Sequence, residues 1–116
     1  MKPVCLVMGA GAGIGGTVGM RFAREGYHAV LCRRSDQDGL SKIVDKIEGE
    51  GGSASGFLIN AVEPDVIEER VAAVEEEIGP IEVVVFNLGA QIGDRALKDT
   101  SYKAFEMGWR MATFAL

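Results

Sequence analysis

The apolar positions of the chain alternate between short unbroken runs and stretches of helical spacing. Val4-Cys5-Leu6-Val7-Met8 is an apolar run closed by Gly9, and a run this short predicts a strand buried on both faces. From Ile14 the apolar positions Ile14, Val18 and Phe22 recur at helical spacing until Gly26, which predicts an amphipathic helix with a glycine stop. His28 to Cys32 reads as a second strand. Leu40, Ile43, Val44 and Ile47 then form an i, i+3, i+4, i+7 stripe, broken by Gly49, Gly51 and Gly52, as in a surface helix with one buried face. Ala54 to Ile59 predicts a third strand, weakened by Gly56. Pro64 suits the first turn of another helix, where its missing N–H costs nothing. Ile67, Val71, Val74 and Ile78 make the buried face of that helix, and Gly79-Pro80 stops it. Ile81 to Phe86 is the clearest strand, followed by a turn at Asn87-Leu88-Gly89-Ala90. Residues 101–116 carry a looser helical pattern.

Strands and helices therefore alternate as βαβαβαβ, with one further helix. Short buried strands joined by helices force parallel pairing through right-handed crossovers. The expected architecture is α/β, a doubly wound parallel sheet of about four strands, in a single domain over residues 1–116 without an internal linker.

Composition narrows the function classes. A content of 47% apolar and 25% charged residues in 116 is that of a soluble globular domain. Residues 1–58 carry seven Lys/Arg against six Asp/Glu, and residues 59–116 carry five against eleven. With no basic stripe, neither nucleic acid nor an anionic membrane is an expected partner. No run approaches the roughly 20 apolar residues of a membrane span, and the first run is too short for a secretion signal. Cys5 and Cys32 sit in apolar runs and match no metal-ligand spacing. They read as core residues of a reduced, cytoplasmic protein, with no metal site expected.

The glycines carry the first chemistry. Six of the 16 fall between Gly9 and Gly19, between the first strand and the first helix. A doubly wound sheet turns sharply there and exposes a helix N-terminus, whose free N–H groups and dipole stabilise a pyrophosphate. Glycine lets the phosphates approach the backbone. Two registers fit: Gly11-x-Gly13-x-x-Gly16, the long-chain dinucleotide fingerprint, and Gly9-x-x-x-Gly13-x-Gly15. The second puts its first glycine directly at the turn and is preferred. Thr17 stands where a triphosphate P-loop needs lysine, which excludes that motif. A tight structural turn is the alternative without a ligand.

Met8-Gly9-Ala10-Gly11-Ala12-Gly13-Ile14-Gly15 resembles the Thr-Gly-x-x-x-Gly-x-Gly pattern of the short-chain dehydrogenases/reductases, with Met8 in place of threonine. Phe86-Asn87-Leu88-Gly89 resembles, in degenerate form, the family's Asn-Asn-Ala-Gly after the fourth strand. The resemblance covers essentially the whole chain and implies a Rossmann-type fold, with Gly9, Gly11, Gly13, Ile14 and Gly15 around the cofactor pyrophosphate. It places Asn60-Ala61 where the family has Asp-Val beside the adenine. It also places Asn87 and Gly89 under the cofactor ribose, with Asn87 bracing the sheet.

The strand end Leu31-Cys32-Arg33-Arg34-Ser35 bears on the choice of cofactor. An acid there accepts from the ribose 2′-OH of NAD, whereas arginine accommodates the 2′-phosphate of NADP. No acid stands at the strand end, and Asp36 follows two residues past the arginines, too late for that role. NADP is expected over NAD, with Arg34 matching the family's basic position and Arg33 replacing the acid of NAD-type members.

By resemblance, catalysis would need a tyrosine with a lysine four residues later, the cation lowering the phenol pKa. Tyr27 is followed at that spacing by Leu31 and Tyr102 by Glu106, so the catalytic residues are unknown. Ala112 occupies the place of a family asparagine. The apolar ending Met111 to Leu116 leads us to expect the front half of a longer polypeptide, and the family implies a homo-oligomer, dimer or tetramer, acting on a small molecule. Three readings stay open: the cofactor half of an NADP-dependent oxidoreductase, a non-catalytic dinucleotide-binding module, and a binder of another nucleotide such as a flavin.

Overall fold

The computed structural model describes residues 1–88 and 96–116. Its strands are β1 (Val4–Met8), β2 (His28–Arg33), β3 (Ser53–Leu58) and β4 (Ile81–Phe86). The helices are α1 (Ile14–Arg24), α2 (Gln37–Gly49), α3 (Val66–Glu77) and α4 (Tyr102–Trp109). A 3₁₀ turn, Leu97–Asp99, precedes α4, and a π-helical turn, Arg110–Phe114, continues it.

The strands form one sheet in the order β3-β2-β1-β4, every neighbouring pair parallel. β1 lies inside and all five of its residues are buried, which is why its sequence is uniformly apolar. Successive side chains point to opposite faces. On one face Cys5, Val7, Ala29, Leu31 and Ala54 pack with Ala23 of α1 and with Leu40 and Ile47 of α2. On the other, Val4, Leu6, Met8, Val30 and Cys32 pack with Val74 of α3. Helices on both faces make the sheet doubly wound, as the alternating pattern predicts.

Packing corrects the expected inner face of α1. Ile14 is 71% exposed, and the buried positions are Gly15, Gly16, Gly19 and Ala23. A Cβ on Gly19 would lie 2.5 Å from Leu31 Cδ2, so the helix approaches the sheet through its small residues. Phe22 is half-buried at the flank, stacked edge-on against Tyr27 at 5.2 Å.

Other boundaries move for local reasons. α3 starts at Val66 and not around Pro64, because its N-cap Asp65 is left-handed (φ +65°) and cannot belong to the helix. Ile78 falls just beyond the helix yet still packs on the second face. β3 runs one residue earlier than the apolar pattern, although Ile59 N still donates to Arg33 O at 2.9 Å. β4 is only half-buried, and Val84 is 59% exposed. Among the described residues this strand pairs with β1 alone and stands at the sheet edge. The looser C-terminal pattern resolves into the short α4, capped by Ser101 Oγ accepting from Ala104 N at 3.1 Å, and the π turn. No helix among the described residues is long and apolar enough to cross a membrane.

Candidate functional site

The loop between β1 and α1 is built on main-chain contacts. Gly9 N and Ala10 N both donate to Cys32 O, at 2.9 Å each, fastening the loop to the end of β2. Gly9 is left-handed (φ +93°), and a Cβ there would meet Asn87 O at 2.5 Å. Turn and close approach both demand glycine at this position. Asn87 N donates to Met8 O at 2.8 Å and its side-chain amide to Gly9 O at 3.3 Å. Asn87 thus joins the exit of β4 to the loop.

The glycines divide into two kinds. Side chains on Gly15 or Gly16 would overlap Gly9 O and Gly11 O respectively, so these two let the first turn of α1 lie on the loop. Gly16, which the sequence offers only in the alternative Gly11-x-Gly13-x-x-Gly16 register, serves this packing. Gly11 and Gly13, in contrast, have nothing within 4 Å of where a Cβ would be, and Gly11 has no left-handed φ. The space beside them is open.

That opening faces the start of α1. Gly16 N donates to Gly11 O at 2.9 Å and Thr17 N to Gly13 O at 3.1 Å. The N–H groups of Ala12, Gly13, Ile14 and Gly15 have no backbone or side-chain acceptor among the described residues. The helix has no side-chain cap and no acid in its first turn. A helix start with free donors is an anion-binding element. Exposed Ile14 borders it.

Arg33 and Arg34 differ in their surroundings. Arg33 ends β2 with its side chain 23% exposed, and its Nη1 lies 3.6 Å from Asp36 Oδ2. Arg34 is exposed and has no ion-pair partner among the described residues. Asn60 Oδ1 accepts from Val62 N at 3.3 Å, closing a turn, and Ala61 packs against the second-face core. Gly89 lies outside the described residues.

Both cysteines are buried and unpaired, Cys5 on one face of the sheet and Cys32 on the other. Burial pushes each thiol up to about 11. Tyr27 sits at the opposite end of β2 from the arginines, and Tyr102 is 97% exposed at the start of α4. Ala112 falls within the π turn. No cluster of three metal-ligating side chains occurs among the described residues.

A parallel sheet ordered β3-β2-β1-β4, with a glycine loop between β1 and α1, defines an α/β protein of the Rossmann type. The family model for short chain dehydrogenase matches residues 3–114, and the chain belongs to that family. It is 35% identical over 86 residues to a 3-oxoacyl-(acyl-carrier-protein) reductase of Thermotoga maritima, covering 74% of this chain and 35% of that protein. Identity to a gluconate 5-dehydrogenase of Gluconobacter oxydans is 36% over 86 residues, covering 74% and 33%. A point variant of actinorhodin polyketide ketoreductase, solved with NADPH, superposes with a TM-score of 0.89 at 29% identity, covering 98% of this chain and 43% of that one. The chain thus spans about a third of the length of the curated relatives it matches. It is related to oxidoreductases and covers the part of them that binds the cofactor.

Proposed function

We propose that residues 1–116 are the cofactor-binding half of an NADP(H)-dependent oxidoreductase that transfers hydride between a nicotinamide and a carbonyl or alcohol carbon of a small molecule. The observation that carries this reading is the juxtaposition of two phosphate-binding elements. The free donors of Ala12 to Gly15 surround space left open by Gly11 and Gly13, and the loop is fastened to the strand end that bears Arg33 and Arg34. Gly9 and Gly15 shape the loop, Ile14 borders it, and Arg34 and Arg33 face the 2′-phosphate. Asn60 and Ala61 take the adenine side, and Asn87 and Gly89 the ribose side. The donor set suits an anion: four main-chain N–H groups and two guanidiniums, with no carboxylate in the loop. When bound, the nicotinamide supplies the hydride acceptor or donor. This chain's residues bind and orient the cofactor, and the proton-transfer groups lie elsewhere in the complete protein.

Titration with NADPH, NADH and FMN tests the reading. NADPH is expected to bind tightest, and Arg34→Ala to lose tenfold or more for NADPH and little for NADH, the worth of one charge-assisted bond. Equal losses for both cofactors would defeat the assignment of Arg34. A non-catalytic NADP(H)-binding module is the second reading, favoured by Ala112 and by tyrosines without a paired lysine; turnover of a carbonyl panel by the full-length protein would refute it. Intact mass well above 12.3 kDa for natively expressed protein is the expectation for a front half. Exposed Tyr102, Phe105 and Trp109 on α4 suit a homo-oligomer, and the two unpaired cysteines suit the cytoplasm.

A further inference from the structure

Asp36 is the acid that the sequence sets too far beyond β2 to matter, yet the fold returns it to the strand end. It is one of two non-glycine residues with positive φ among the described residues, at +69°. Aspartate is among the few side chains that tolerate this region, and the turn carries its carboxylate back toward the strand end. Two contacts engage its carboxylate. Oδ1 accepts from Gly39 N at 3.0 Å, capping α2, and Oδ2 lies 3.6 Å from Arg33 Nη1. Gly39 completes the arrangement: a Cβ on it would overlap Asp36 Oδ2 and come within 3.0 Å of Arg33 Nη1. The carboxylate, the guanidinium and the missing side chain therefore fit as one unit, and Arg34 stands outside it.

We infer that Asp36 is a specificity-determining residue that tempers recognition of the 2′-phosphate by holding the Arg33 guanidinium and adding a negative charge beside it. The inference rests on the NADP(H) reading above. A phosphate arriving at this strand end meets one arginine already engaged by a carboxylate and one without a partner. The binding contribution then falls mainly on Arg34, and affinity for the phosphate stays below what two uncommitted arginines would give. With Oδ1 on Gly39 N and Oδ2 turned to Arg33 Nη1, the carboxylate is already engaged and is not offered to a 2′-OH, so NADH is expected to be indifferent to the pair.

Asp36→Asn separates the two contacts. Asparagine accepts the Gly39 N–H and tolerates the left-handed backbone, so the cap is kept and only the charge is lost. In the full-length protein, calorimetric titration of Asp36→Asn is expected to tighten NADPH about fivefold and leave NADH within twofold. Arg33→Ala should weaken NADPH slightly in the wild-type background and about tenfold more in the Asp36→Asn background, a non-additivity diagnostic of the pair. A purely structural role would move both cofactors alike. Wild-type preference for NADPH with an unchanged or lowered ratio in Asp36→Asn overturns the role of Asp36 and leaves the cofactor assignment standing. A wild type that does not prefer NADPH, or binds neither cofactor, overturns both.

Discussion

Replacing Gly15 and Gly11 separately by alanine tests the division of the loop glycines into packed and open positions. Both substitutions stiffen the unfolded chain equally, a stabilising effect of about 0.4–1 kcal/mol. At Gly15 the same entropy is what the helix propensity scale records, ~0.8–1 kcal/mol in all. Against this, the new Cβ overlaps Gly9 O and lies 3.0 Å from Ala10 Cα. Both are main-chain atoms that no rotamer change can clear, so the cost falls near the upper end of overpacking, about 3 kcal/mol. The net result is a loss of roughly 2 kcal/mol for Gly15→Ala. Gly11→Ala meets nothing within 4 Å and keeps its gain of about 0.5 kcal/mol. The two variants should differ by about 2.5 kcal/mol, or some 10 °C in Tm for a domain of about this size. Thermal melts followed by circular dichroism, with urea midpoints as a check, read this difference directly. Variants melting within ~2 °C of each other, or Gly11→Ala melting lower, would refute the packing argument.

Three further outcomes follow from the core. His28 accepts or donates across Ser53 Oγ at 3.0 Å and Ser55 Oγ at 2.8 Å, and its pKa is lowered from the ordinary 6.5 by burial first and the Lys2 charge second, partly opposed by Glu48. The native state therefore favours the neutral ring. The stability this contributes is full above the ordinary value and is lost as pH falls below it, so urea midpoints should drop between pH 7.5 and 5.5, and less steeply in His28→Gln. Cys5 and Cys32, buried and with thiols raised to about 11, should be silent to a thiol reagent in the native protein and react only in denaturant. Leu40, fully buried over β3 with its Cγ 2.8 Å from where a Cβ on Gly56 would lie, should cost about 2–5 kcal/mol when cut to alanine, seen as a shifted urea midpoint at unchanged slope.

The architecture was legible because burial on two faces leaves a plain mark. β1 is apolar at every position, and Leu40 and Ile47 fall on the buried side of α2 where the stripe puts them. The face of α1 was not legible. Periodicity weights bulky residues, whereas this helix is seated by Gly15, Gly16, Gly19 and Ala23, and closeness of approach leaves no hydrophobic signal. β4 is the clearest strand in sequence, yet Glu82 and Val84 are exposed and its other four residues only half-buried; strand order is a tertiary property. At the candidate site, the glycine spacing and the two arginines could be found in one dimension. The approach of Asp36 to Arg33 could not, since it depends on a left-handed turn that leaves no mark in the hydrophobic pattern.

The carbonyl of Cys32 accepts from both Gly9 and Ala10, and this has a consequence for redesign. The link between the loop and the strand end runs entirely through main chain, so it is indifferent to which side chains follow at 33 and 34. Under the proposed NADP(H) reading, exchanging those arginines for acids is expected to alter the ribose preference while leaving the glycine loop in register. The loop and the strand end are thereby structurally separable parts, joined at a single peptide oxygen.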